Sequence, residues 1–259
     1  IQGSKIAYYF RNIRNLLLKQ EVFKSWESYY DEIINWVEGA KTPFFLWVFL
    51  LDTHLPWLVP RKFRKWGNFF DMFYSGWKIF RLLNKQNINI SEKLKKKLIN
   101  AYDDSIYYAD AFIGRLQKDL SDYDPIFIIH ADHGEEFGEH GDVGHGKPKL
   151  YAELLRIPLV AYGVGQEYFK PINMTFAYSQ IDVAPTILAT CNIKPFKRYL
   201  GEIVCANKRR YAISEVAHTK EYEIDLRKAK YSIIYYPYHM IYDAKSVSYT
   251  HLRAHETEA

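Results

Sequence analysis

Apolar positions along the chain change their period several times, and each change marks an element. Residues 5–38 place Ile6, Tyr9, Phe10, Ile13, Leu16 and Leu17 at helical spacing among basic residues, which predicts one or two surface helices. Thr42 and Pro43 interrupt that pattern. Residues 44–51 then run apolar without alternation, the pattern of a strand covered on both faces. Ser91 suits the N-cap of a long helix reaching about Leu120, with Leu94, Leu98, Tyr102, Ile106, Ala109, Ile113, Leu116 and Leu120 as its apolar stripe. Residues 126–129 and 157–162 predict two more buried strands, separated by a short helix near 150–155. Ser179 opens a helix over 180–190 that carries Pro185 in its early turns.

Strands alternating with helices predict an α/β domain built on a mostly parallel sheet flanked by helices. Beyond Pro195 the texture shifts to short, Tyr-rich pieces such as 230–238, which predict a small C-terminal antiparallel α+β unit. The expected division is a partial core over 1–198, a truncated C-terminal subdomain over 199–245, and a tail over 246–259. Within that tail, SVSYTHLRAHET reads as the in-frame translation of a sequencing adapter, so the tail is set aside as an artefact. The chain begins Ile1-Gln2-Gly3 without an initiator Met or an export signal. It is therefore expected to be a fragment, and its compartment stays open.

Composition narrows the functional classes. Of the 259 residues 48% are hydrophobic and 17% aromatic, enough for a substantial core in which rings remove large areas from water. A net charge of +5 suits anionic small molecules or glycans and is too small to imply nucleic acid. Cys191 and Cys205 stand apart with no CxxC spacing, so neither a disulfide framework nor a zinc knuckle is indicated. The basic, aromatic stretch 61–90 is read as an insertion whose rings pack on the core and whose charges are solvated; contact with a membrane through it is the less favoured alternative.

Chemistry concentrates in 129–147, IHADHGEEFGEHGDVGHGK. Histidines and carboxylates alternate there with glycines that let a backbone turn sharply and approach a ligand closely. Carboxylate with imidazole suits a divalent cation of the Ca²⁺, Mg²⁺, Mn²⁺ or Zn²⁺ type. Asp132-His133 directly follows one predicted strand, and Asp52-Thr53-His54 follows another. Ligands in open α/β sheets sit beyond the carboxyl ends of strands, so the two Asp/His couples are expected to converge on one pocket.

These residues carry a resemblance. Asp132-His133-Gly134-Glu135, Gly138-Glu139-His140-Gly141, Gly144-His145-Gly146 and the segment 150–159, in that order, resemble the sulfatase branch of the alkaline phosphatase-like superfamily. Asp52, His54 and Pro56 are similar to its HxP segment; Tyr107, Asp110, Gly114, Arg115 and Leu116 to the helix before its metal strand; residues 180–188 to the helix after it. Lys230-Tyr231 and Ile241-Tyr242-Asp243 match its last strands.

The resemblance implies Asp132 and His133 as metal ligands, with Ca²⁺ first among the candidate ions. It implies His54 as the group contacting the transferring sulfate or phosphate oxygen. It also implies His145 or Lys147 as the basic group that stabilises the ester or protonates the leaving oxygen, His145 being preferred. Asp182 is expected to cap its helix. The family's formylglycine nucleophile, which matures from a Cys or Ser in a CxPxR setting, has no counterpart here and is expected in a missing N-terminal part. The implied activity is metal-dependent hydrolysis of sulfate esters, with a phosphoryl or phosphoethanolamine-type transferase, a phosphodiesterase or an inactive fragment as alternatives.

Overall fold

A computed structural model of the chain describes residues 25–82, 88–171, 173, 175–217, 219–220, 223–224 and 229–253. The helical positions expected between Ile6 and Leu17 lie outside the described residues. The chain divides into two compact units. One takes the residues up to Asp122 together with Phe137–Gly144; the other takes Tyr123–Glu136 and everything from His145 onward.

The first unit is helical. Helix α1 (Tyr30–Gly39) buries Tyr30 and Val37, α2 spans Phe69–Leu82, and α3 runs Glu92–Asp119. Ser91 caps α3 as expected, its Oγ accepting from the Leu94 N–H at 3.3 Å. The buried line of α3 differs from the sequence expectation. It runs through Leu94, Leu98, Ala101, Ser105, Tyr108, Phe112 and Leu116, whereas Ile106 is exposed and Tyr102 and Ile113 are half-buried. From Leu94 to Ile106 the expected stripe advances by fours, and such a stripe drifts about 40° per step around a 3.6-residue helix. Steps of three must alternate with steps of four to hold one face against a core. Tyr108 and Phe112 close an aromatic cluster with Trp26 and Tyr30 at centroid separations of 5.4–5.9 Å. The Trp26 indole N–H donates to the Tyr108 carbonyl at 3.1 Å.

Asp104, on the same face and 2% exposed, accepts from the backbone N–H groups of Lys65, Trp66 and Gly67 at 2.7–3.0 Å. It thereby pins the basic segment ahead of α2. Phe63 packs on Tyr108 and Trp66 on Tyr107, while Arg61, Lys62 and Lys65 stay exposed. The inward packing expected for the rings of this stretch is met only in part, since Trp66 and Phe70 are 46% and 79% exposed.

The apolar run at 44–51 departs from expectation. It forms no strand, and Phe45, Trp47 and Phe49 are 66%, 72% and 54% exposed. A strand is buried on both faces only when sheet neighbours carry helices over it, and among the described residues none pairs with this segment.

In the second unit β1 (Phe127–His130) pairs with β2 (Leu159–Tyr162) in the register Phe127↔Tyr162 to His130↔Leu159. The Phe127 and Tyr162 rings stack at 4.9 Å. Short helix α4 (Ala152–Leu155) precedes β2, and α5 (Val183–Thr190) follows it. Strands β3 (Ala212–Val216), β4 (Lys230–Tyr235), β5 (Tyr238–Asp243) and β6 (Ser248–Arg253) form one sheet in the order β6-β5-β4-β3.

The α/β class stands, but its expected parallel character does not extend to the pairing of β1 with β2 or to the four-stranded sheet β6-β5-β4-β3, which are antiparallel. A parallel pair needs a crossover connection between strands that lie side by side, and residues 44–51, expected as a strand of that sheet, form none. The position 198/199 falls inside the second unit. Residues 248–253, in the tail set aside above, pair with β5.

Asp182 organises the approach to α5. It is fully buried and accepts from Ser179 N, Glu202 N and Asn207 Nδ2 at 2.8–3.3 Å, besides pairing with the Arg209 guanidinium. Capping, rather than catalysis, is the expected role, and the geometry supplies it.

Candidate active site

The second unit holds the denser cluster. Strand β1 ends at His130 and the chain turns through Ala131-Asp132-His133-Gly134. Gly134 N–H donates to Leu154 O at 2.9 Å, and a Cβ at position 134 would sit 1.9 Å from the Glu153 carbonyl oxygen. Only glycine lets the turn press so close to α4. From the other side, Gln180 Nε2 donates to the Ala131 and Asp132 carbonyls at 2.9 and 2.7 Å. The turn is thus held from two elements, with the Asp132 side chain left 61% exposed.

Four histidines among the described residues share one device, His130 with its Nδ1 3.2 Å from Ala131 O among them. His133 Nδ1 lies 2.9 Å from Gly134 O and His54 Nδ1 lies 2.8 Å from Leu55 O. His145 Nδ1 lies 3.0 and 3.2 Å from the two Glu135 carboxylate oxygens. A carbonyl or carboxylate oxygen only accepts, so Nδ1 is the donor in each case. The tautomer is thereby fixed, and in the neutral ring Nε2 carries the lone pair.

His133 Nε2 faces Asp132 Oδ2 at 3.7 Å, and the His133 and His145 rings stand 4.0 Å apart. Glu135 is buried, with its side chain 5% exposed. Its hydrogen bond to His145 raises the imidazole pKa above the ordinary histidine value; burial opposes this, and the charges of Glu135 and Asp132 add to the rise.

His54 belongs to the first unit. Its N–H donates to Leu51 O at 3.0 Å and its carbonyl accepts from Trp57 N. Trp57, 1% exposed, packs on Tyr102 and Phe137 and so anchors the turn that carries His54. Lys147, in the second unit, is half-buried. The lysine that reaches the buried Glu136 carboxylate is Lys149, at 3.2 Å.

The structure therefore brings Asp132, His133 and His145 together. Among the described residues no group of three His, Cys, Asp or Glu side chains is arranged to hold a metal. Asp132 and His133 do fit as two members of a coordination shell. An exposed carboxylate oxygen lies 3.7 Å from an imidazole nitrogen whose partner nitrogen is already engaged as a donor, and both are cation-ligating groups. Sequence reasoning placed Glu135 among the carboxylates without giving it a role, and gave none to Gln180. The Glu in Asp132-His133-Gly134-Glu135 was the available signal for the first. Gln180 touches backbone alone, so no motif of side-chain chemistry points to it.

The sulfatase family model matches residues 4–193. The chain belongs to the sulfatase family. It is 37% identical over 86 residues to phosphoethanolamine transferase EptA of Helicobacter pylori, covering 32% of this chain and 16% of that protein. It is also 27% identical over 166 residues to iduronate 2-sulfatase of Mus musculus, covering 52% of this chain and 30% of that protein. Among solved structures, phosphonate monoester hydrolase of Agrobacterium radiobacter superposes with a TM-score of 0.67 at 16% identity, over 86% of this chain and 53% of that one. That likeness establishes the alkaline phosphatase-like fold. The chain spans less than a third of the length of the curated relatives it matches. By name those relatives include several transferases and a sulfatase.

Proposed function

We propose that the protein to which this chain belongs hydrolyses sulfate esters with the help of a divalent cation, and that this chain contributes the cation-binding and proton-transfer side of the site. The observation that carries the reading is the joint placement of Asp132, His133 and His145 at the carboxyl end of β1, each imidazole oriented through Nδ1. Asp132 and His133 would hold the cation, Ca²⁺ first, then Mg²⁺, Mn²⁺ or Zn²⁺. When bound, such an ion polarises the anionic ester and favours the deprotonated nucleophile.

His145, whose protonated form the Glu135 carboxylate favours, donates from Nε2 to the departing alkoxide; Glu135 holds the ring in place and balances its charge. His54 contacts an oxygen of the transferring group, and Lys147 serves as a second cation toward the ester. A family nucleophile of the formylglycine kind is not among the residues assigned here. A glycan or small-molecule sulfate is the substrate class.

A second reading, phosphoethanolamine transfer, is favoured by the relatives that exceed 30% identity, several of which are phosphoethanolamine transferases. Turnover of an aryl sulfate against a phosphoethanolamine lipid separates the two. The cation assignment has its own test. Asp132→Asn and His133→Gln should each weaken calorimetrically measured Ca²⁺ or Zn²⁺ binding by about 10–100-fold, and unchanged binding in both variants would remove the assignment.

A further inference from the structure

Between α5 and Gly201 the second unit carries the loop Ile193-Lys194-Pro195-Phe196-Lys197-Arg198-Tyr199-Leu200. Both of its ends are fixed. Asn192 adopts φ of 56°, and Ile193 N–H donates to Leu188 O at 2.8 Å. This is the left-handed helix ending in which the amide two residues past the cap returns to a helical carbonyl. At the far end, a Cβ on Gly201 would sit 1.9 Å from Ile181 O, and Glu202 N–H donates to the buried Asp182.

Between these anchors a turn closes through Tyr199 N–H to Phe196 O at 3.1 Å. It sets the Phe196 and Tyr199 rings 6.1 Å apart and puts Lys197 and Arg198 at the tip. The side chains of this loop face water, although many are apolar. Ile193, Phe196, Tyr199 and Leu200 are 54%, 75%, 42% and 86% exposed. Lys194, Lys197 and Arg198 are exposed beside them, and the loop holds no carboxylate.

Large apolar side chains left in water mark a surface that is covered in use. Three cations interleaved with them select a cover that is anionic at its surface and apolar beneath. We propose that residues 193–200 dock this unit on an anionic lipid surface, with Phe196 and Leu200 entering the apolar layer and Lys194, Lys197 and Arg198 meeting the headgroup phosphates. A globular protein partner would match the apolar side chains as well, but it would need a dense acidic patch to meet the cations. An anionic lipid offers both chemistries in every molecule.

The loop also lies close in sequence and contact to the candidate site. Gly201 packs on Ile181, and the neighbouring Gln180 holds the Asp132 turn. Docking would therefore present Asp132, His133 and His145 near a headgroup. Docking of this kind is independent of which ester the site cleaves.

The test is co-sedimentation of the full chain with vesicles of phosphatidylcholine alone and of phosphatidylcholine with phosphatidylglycerol. Expected is binding to the anionic vesicles that weakens with salt, and at least about tenfold less binding to phosphatidylcholine. Phe196→Ser/Leu200→Ser and, separately, Lys197→Glu/Arg198→Glu should each reduce anionic-vesicle binding by about tenfold or more. Because the charge reversal touches only the solvated tip, it remains informative if the apolar pair misfolds. Trp66→Ser/Phe70→Ser, which removes exposed aromatic residues of the first unit, should leave binding unchanged. Equal binding to both vesicle types, retention of binding in the loop variants, loss in the Trp66/Phe70 variant instead, or self-association through the loop without lipid would each overturn the proposal.

Discussion

His145 Nδ1 lies 3.0 Å from Oε1 of Glu135, a carboxylate ten residues earlier whose side chain is almost wholly withdrawn from water. This pair orients the imidazole that stands over His133. A buried carboxylate behind a histidine fixes the tautomer and raises basicity at the opposite nitrogen.

Glu135→Ala is therefore expected to lower turnover of the intact enzyme by about 10–100-fold, the usual cost of removing such a partner. Glu135→Gln should recover orientation without charge and fall between. Steady-state kinetics on the three proteins checks the order; wild-type rates in Glu135→Ala would show that the pair is structural only.

Gly134→Ala should be among the more damaging single-methyl changes in this unit. Its Cβ would overlap a backbone carbonyl of α4, which cannot swing aside as a side-chain tip does. A loss of roughly 1–3 kcal/mol is expected from overpacking. The Asp132–His133 turn should also shift, read together as a lower urea midpoint and weakened cation binding.

Asp182→Ala removes the acceptor shared by two backbone amides, Asn207 and Arg209. Leaving the Arg209 guanidinium without its buried partner is expected to cost about 3–5 kcal/mol. Chemical denaturation should show this directly, and a change under about 1 kcal/mol would mean the network is replaced by water.

His239 gives a pH signature. It is 3% exposed, with Nε2 2.8 Å from Ser232 Oγ. Burial lowers its pKa below the ordinary value of 6.5, with the nearby Glu153 charge acting in the opposite sense. The unfolded chain then takes up the proton first as pH falls. The contribution is complete above about pH 6.5 and is lost as pH drops below it toward the folded-state pKa. Urea unfolding at pH 7 and pH 5 should show stability falling toward acid, and His239→Gln should flatten that slope.

Much of this was legible in the chain because it rests on local signals. Ser91 and the apolar periodicity located α3; Ser179 and Asp182 located the entry to α5; Asp132-His133-Gly134-Glu135 and Gly144-His145-Gly146 located the cluster. In each of these the interacting groups are close in sequence, or the residue type itself states the constraint, as glycine does at 134. The phase of the α3 stripe was less legible. Tyr108 and Phe112 are buried by Trp26 and Tyr30, more than seventy positions away, and intrinsic hydrophobicity does not separate them from Ile106 and Ile113.

By itself, then, the sequence determined the family, the α/β class, the caps and the chemical character of the cluster, since side-chain identity and helical period are properties of short segments. Only tertiary structure decided that Glu135 and not another acid backs His145, that Gln180 grips the Asp132 turn, that β1 runs antiparallel to β2, and that the apolar run at 44–51 forms no strand and leaves alternate rings in water. Each of those depends on which distant backbone comes alongside, and the free energy of such long-range contacts is not written in any local window of residues.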